Sequence, residues 1–194
     1  DGYDYIYVIK AIDKKSTALT LIERRVNLSE PKVKAALMVS LLKGDKLDYV
    51  CQKLTELGFS DIYPVVTDYT QVKRESVKVE RLNKICKEAA QQCGRGKVAV
   101  CHSPMTLDEA IAEAKKFDNV FFFYEKDGKS FKEAAANLVG SSAIFVGGEG
   151  GWSEEEANKL GFAERINLGK RILRAETACV TAAALIMYES GELK

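Results

Sequence analysis

Residues 35–67 read AALMVSLLKGDKLDYVCQKLTELGFSDIYPVVT. Two apolar runs, ALMVSLL at 36–42 and DIYPVVT at 61–67, flank a stretch of different period. Within that stretch Leu47, Val50, Cys51, Leu54 and Leu57 fall three, one, three and three residues apart. This spacing puts them on one face of a helix over 46–57, with Gln52, Lys53 and Glu56 opposite and Gly58 placed to end it. Strand, helix and strand in this order predict a parallel pair with a crossover helix.

The alternation continues downstream. A helix is expected over 78–93, with Val79, Leu82, Ile85, Cys86, Ala89, Ala90 and Cys93 as its apolar stripe and Gly94 as its stop. It is followed by the run VAVCH at 98–102, a helix near 106–116, NVFFFY at 119–124 and a short helix near 130–138. AIFVG at 143–147, a helix after Ser153, RINL at 165–168 and a last helix over 175–189 complete the series. Such an order predicts an α/β domain with a mostly parallel sheet covered on both faces. The final helix is apolar nearly all round, so it should be buried against the sheet or a partner subunit.

Upstream the pattern differs. Residues 3–9 and 17–22 are rich in β-branched and aromatic residues and read as two strands, too few to stand alone. The polar stretch 24–32 with Pro31 reads as a linker. Beginning on Asp1, the chain reads as one whose start is incomplete.

Composition narrows the function. With 29 Lys and Arg against 28 Asp and Glu, any polyanion site must be local. No run of eighteen apolar residues and no leader-like start occur, so a cytoplasmic location is expected. The five cysteines include no CxxC pair and read as core residues rather than disulfides. His102 is the lone histidine, which leaves neither a closed zinc site nor a readable triad, and no metal is expected.

One glycine cluster carries chemistry. Gly147, Gly148, Gly150 and Gly151 follow the run AIFV, and Ser153 with Glu156 forms a capping box for the next helix. Glycines let a strand-end turn bring backbone amides against a ligand, although a tight capped loop is the plainer reading. Neither GxGxxG nor GxxxxGK[ST] fits, which argues against dinucleotide binding and P-loop hydrolysis. Trp152 could stack on a base or anchor the loop.

Two basic segments stand out. Arg165, Lys170, Arg171 and Arg174 lie in an acid-free stretch, either free to meet an anion or paired with Glu156 or Glu176. Residues 71–97 hold eight Lys or Arg against three Glu, which reads either as ordinary charged surface or as a local positive face suited to an RNA backbone.

Taken together, VGGEGGWSEEE at 146–156, LGKRILRAETA at 168–178, and KLTELG with EAAQQCGR at 53–58 and 88–95 resemble the 16S ribosomal RNA uridine N3-methyltransferase family, a branch of the SPOUT methyltransferases. The resemblance covers about residues 35–190. It implies a SPOUT-type α/β domain over 35–194 with a C-terminal trefoil knot, preceded over 1–30 by a partial PUA-like RNA-binding β-barrel. It also implies S-adenosylmethionine as cofactor, 16S rRNA in the small ribosomal subunit as substrate, and a homodimer. Gly148 stands where that family more commonly has proline.

By the same resemblance, Gly147, Glu149, Gly150, Gly151, Leu168, Gly169, Ile172, Leu173, Thr177 and Ala178 would hold the cofactor, with Leu168, Ile172 and Leu173 around the adenine. Arg171 or Arg174 is the expected stabiliser of a developing uridine anion, because arginine stays protonated and can only donate. Glu149 or Glu176 would orient an arginine or take a proton. Lys53 and Arg95 join Arg171 and Arg174 as substrate-side candidates. The alternatives are a ribose 2′-O-methyltransferase of the same superfamily and a non-catalytic rRNA-binding assembly factor.

Overall fold

A computed structural model describes residues 1–136 and 138–194. Nine strands and six α-helices are found among them. The expected strand, helix and strand are β3 (Ala35–Ser40), α1 (Lys46–Glu56) and β4 (Asp61–Val66). β3 is wholly buried, which explains why it is a continuous apolar run rather than an alternating one.

The sheet follows from there. α2 (Val79–Cys93) leads to β5 (Val100–Cys101), β6 (Met105–Thr106) and α3 (Leu107–Ala114). β7 (Asn119–Phe123), α4 (Phe131–Ala134), β8 (Ser142–Val146), α5 (Glu154–Lys159), β9 (Glu164–Ile166) and α6 (Ala175–Glu189) complete the chain. The strand order is β5-β4-β3-β8-β7-β9, with β6 also on β4, and every pairing is parallel. α6 covers the range expected from sequence. The short helix expected near 130–138 ends at Ala134, and residue 137 lies outside the described residues. Gly94, at φ 76°, ends α2 as anticipated.

Two apolar layers sandwich the sheet. Leu37, Val39, Ile62, Ile144 and Val146 face α1, α2 and α6, whereas Met38, Tyr63, Phe122 and Phe145 face α3 and α5. Cys51, Cys86, Cys101 and Cys179 are buried free thiols in the first layer, as small core residues should be.

Two expectations carried by the resemblance are corrected. The parallel sheet has a Rossmann-like α/β order, which replaces the SPOUT-type trefoil-knot domain. Loop motifs supplied that assignment, whereas strand pairing decides architecture. The partial PUA-like barrel over 1–30 is also replaced. β1 (Tyr3–Ile12) and β2 (Thr17–Val26) form a two-stranded antiparallel ribbon that pairs with no further strand among the described residues, rather than a barrel. The strands outrun the expected 3–9 and 17–22 because antiparallel pairing continues through Arg24, Arg25 and Val26. The ribbon is tied to the sheet domain through its base. Gly2 N donates to Gly96 O, and Asn27 Nδ2 donates to Asp4 and to Gly94 O.

Candidate functional site

β3 feeds β4 and β5 to one side, whereas β8, β7 and β9 lie on the other, so the chain reverses direction across the sheet between β3 and β8. Ligands of open α/β sheets collect at such a crevice, beyond the carboxyl ends of the strands. Here the ends of β7 and β8, the loop after β9 and the first residues of α1 and α6 enclose a cavity of about 710 Å³. That is ample for a nucleoside-sized molecule.

The glycine loop forms one wall. Gly151 has φ +67°, and its N–H closes a turn on Gly148 O at 3.1 Å. Close packing requires two more of the glycines. A Cβ on Gly147 would stand 2.9 Å from Trp152 Nε1, and one on Gly150 would stand 2.6 Å from the Cβ of Tyr69. Trp152 is only 2% exposed and meets Phe122 and Phe145 edge to face, so it anchors the loop rather than waiting for a base. Its Nε1 has no hydrogen-bond partner among the described residues.

Polar bonds fix the loop from behind. The anticipated capping box is formed, with Ser153 Oγ accepting from Glu156 N and the Glu156 carboxylate accepting from Ser153 N. Glu156 also accepts from Asp68 N at 2.8 Å, and Ser153 Oγ donates to Asp68. Lys46 Nζ lies 2.6 Å from Glu149 Oε1. Partial burial would push the Glu149 carboxyl up, but the Lys46 hydrogen bond and nearby backbone N–H groups hold it below its usual range. The same bond raises the Lys46 ammonium.

The opposite wall is the loop after β9. Leu168, Gly169, Arg171, Ile172, Leu173 and Arg174 line it, and Ala175 and Ala178 of α6 continue it. Ile172 is 79% exposed, an unusual place for a large aliphatic side chain. Among the described residues no carboxylate lies within ion-pair distance of Lys170, Arg171 or Arg174. The pairing weighed for Arg165 has gone elsewhere, to Asp127 at 2.9 Å. Glu176, in the first turn of α6, is off the cavity lining and keeps Oε2 buried without a partner among the described residues.

The structure therefore gathers Gly147, Glu149, Gly150, Gly151, Leu168, Gly169, Arg171, Ile172, Leu173, Arg174 and Ala178 around one cavity. Thr177 is exposed and off the lining. Lys53 and Arg95 also lie outside it. Lys53 pairs with Glu56 on the same helix. Arg95 is 5% exposed at its side chain, pairs with Glu30 and donates to Thr55 O and Phe59 O, which ties the 27–32 segment to α1. Sequence reading missed Lys46, Phe123, Tyr124 and Glu125, which also line the cavity. Only their positions just past β3 and β7 could have marked them. His102 stacks on Tyr63 and bonds Asp61 at 2.8 Å, away from the cavity.

The RNA methyltransferase domain family matches residues 29–187. The ribosomal RNA small subunit methyltransferase E of Bacillus subtilis is 31% identical over the whole of this chain and 81% of its own length. A methyltransferase of Legionella pneumophila, solved with its cofactor SAM, superposes with a TM-score of 0.86 at 29% identity, covering 97% of this chain and 79% of that one. The ribosomal RNA small subunit methyltransferase E of Neisseria gonorrhoeae, solved with S-adenosyl methionine, gives 0.84 at 25% identity over 96% and 79%.

Proposed function

The chain belongs to the RNA methyltransferase domain family, alongside the ribosomal RNA small subunit methyltransferase E proteins, and on that premise we propose how its cavity performs the reaction. The protein is a small-subunit rRNA methyltransferase that uses S-adenosylmethionine. The observation that carries this reading is the cavity at the sheet crevice, walled on one side by a glycine loop and on the other by unpaired arginines.

The residues present fit the cofactor. Two of the glycine positions leave no room for a Cβ because the loop packs on Trp152 and Tyr69, and the loop so held lines the cavity. Leu168, Ile172, Leu173 and Ala178 offer an apolar bed for adenine, and Glu125 and Glu149 set negative charge against a cationic ligand. When bound, S-adenosylmethionine supplies an electrophilic methyl on a sulfonium.

Uridine N3 is the proposed acceptor. It must lose its proton, form the new bond to carbon with the freed electron pair, and let the carbon–sulfur pair return to sulfur. Arg171 and Arg174 line the cavity as permanent cations without carboxylate partners, so they stabilise the uridine anion as it develops. The N3 proton passes to solvent water in this scheme, because Glu149 is engaged by Lys46 and Glu176 lies off the cavity lining with its Oε2 buried. The glycine loop and the β9–α6 loop align acceptor and methyl, which makes the displacement effectively unimolecular.

Residues 35–194 are the catalytic unit in this reading, and residues 1–30 extend it toward RNA. Among the described residues no helix is long and apolar enough to cross a membrane. An rRNA substrate supports a cytoplasmic location. A homodimer is supported by α6, whose Thr177, Thr181, Leu185 and Tyr188 form an incompletely covered stripe beside the cavity.

Two measurements test the scheme. Calorimetry should show one S-adenosylmethionine per chain, and nucleoside mass spectrometry of treated small subunits should show 3-methyluridine. A 2′-O-methyl nucleoside instead would overturn the N3 assignment.

A further inference from the structure

The glycine loop has a second face. Behind it, Ser40, Leu41, Thr67, Tyr69 and Thr70 meet Gly148–Gly151 across a cleft of about 10 Å³. Tyr69 closes that cleft with its root against Gly150, yet 54% of the residue is exposed. The backbone beneath it is held on several sides. Thr67 N donates to Thr70 Oγ1, Thr70 N donates to Thr67 O, and Asp68 is bonded both to Glu156 and to Ser153. Thr67 Oγ1 also reaches Ser40 Oγ at 3.1 Å. The turn that carries the ring is thus held against the loop that walls the cavity, so its backbone has little conformational freedom left to lose when something stacks on the ring.

The residues that follow add charge. Lys73 and Arg74 are exposed, and among the described residues neither lies within ion-pair distance of a carboxylate, although the exposed Glu75 is their neighbour in sequence. Further along, Lys78 just before α2 and Lys87 on its outer side are exposed and similarly unpaired among the described residues. Aromatic faces beside backbone-reading cations are how proteins grip single-stranded RNA.

We propose that Tyr69 is a stacking platform for an RNA base flanking the methyl-accepting nucleotide, with Lys73 and Arg74 taking the adjoining phosphates. The proposal rests on the rRNA methyltransferase reading above. It assigns substrate positioning to a residue outside the cofactor cavity, on the far side of the glycine loop.

The test compares Tyr69→Ala, Tyr69→Phe and wild type on unmodified small ribosomal subunits, with methyl-labelled S-adenosylmethionine, beside calorimetric cofactor affinity. Tyr69→Ala should lower kcat/KM for the subunit about tenfold or more, mainly through KM, because base stacking is worth roughly 1–3 kcal/mol. Tyr69→Phe should stay near wild type, and cofactor affinity should be unchanged in both variants. Raising the salt concentration should weaken Lys73→Ala less steeply than wild type.

Other outcomes overturn the proposal. An unaltered kcat/KM in Tyr69→Ala removes Tyr69 from substrate contact, and a loss equal in the alanine and phenylalanine variants puts the effect on the hydroxyl. Weakened cofactor binding in Tyr69→Ala reduces the ring to a support for Gly150. Failure of the wild-type protein to transfer any methyl, with the cofactor bound, instead removes the function on which the proposal rests.

Discussion

The two walls of the cavity are built on opposite plans. Residues 147–153 are anchored by a buried tryptophan, a capping box, an ion pair from α1 and two bonds to the β4 loop. Residues 168–174 carry an exposed isoleucine and two arginines without carboxylate partners, and nothing lies within 4 Å of a Cβ placed on Gly169. The first wall is shaped before any ligand arrives, whereas the second keeps its charge and apolar surface for what binds. In the proposed scheme pre-organisation of the first wall serves the cofactor, and the second wall gives apolar side chains to its adenine and unspent charge to the anionic substrate.

The largest effect should come from breaking the built wall. In Gly150→Val the added carbons collide with Tyr69, so the loop must move, and cofactor affinity should fall at least about 100-fold by calorimetry while circular dichroism is retained. Affinity within a few-fold of wild type would erase the contrast between the walls. On the open wall, Arg171→Ala should lower the single-turnover rate on the order of 100-fold with little change in cofactor affinity. A normal rate would take Arg171 out of the chemistry and leave Arg174 as its remaining cation.

Smaller effects sharpen the same contrast. Glu156 is buried and accepts from the backbone of both Ser153 and Asp68, so Glu156→Ala strands two donors and should destabilise the fold by about 2 kcal/mol in urea titration. A substitution at the exposed Ile172 should leave the urea midpoint nearly unmoved.

The smallest concerns the Lys46–Glu149 pair. The folded Glu149 carboxyl is lowered, so its contribution to stability is present above its unfolded pKa and fades as pH falls through the folded one. The Lys46 ammonium is raised, so its contribution holds below its unfolded pKa and fades only as pH rises through the folded value. Lys46→Met should move the Glu149 titration upward in carboxyl-detected NMR and weaken the cofactor slightly. An unchanged midpoint would mean that the ion pair does not set the charge of the loop.

The sheet was legible because its central strands are buried on both faces and its helices keep an apolar stripe. The spacing from Leu47 to Leu57 and the stop at Gly94 needed no tertiary information. The short edge elements were less legible. β5 holds two residues of the expected VAVCH run, and β6 passed unnoticed, because an edge strand of two residues has no period to detect. The resemblance found most of the cavity lining through its loop motifs, but it carried a knotted domain and a partial barrel with them, neither of which is the architecture described here. Arg95 shows the limit for single residues. Its sequence cannot distinguish a cation waiting for RNA from one that holds Glu30 and two carbonyls inside the fold.

By itself, the sequence determined the α/β alternation, the capped helix after the glycine loop, and a cluster of arginines without nearby acids. These are local properties, set by periodicity and by hydrogen bonds three or four residues apart. Only the tertiary structure decided that Lys46 would meet Glu149 across 103 residues, that Trp152 would be an anchor, and that Tyr69 would stand exposed behind Gly150. Those outcomes depend on which strands lie side by side, and strand order is fixed by the packing of the whole sheet rather than by any segment within it.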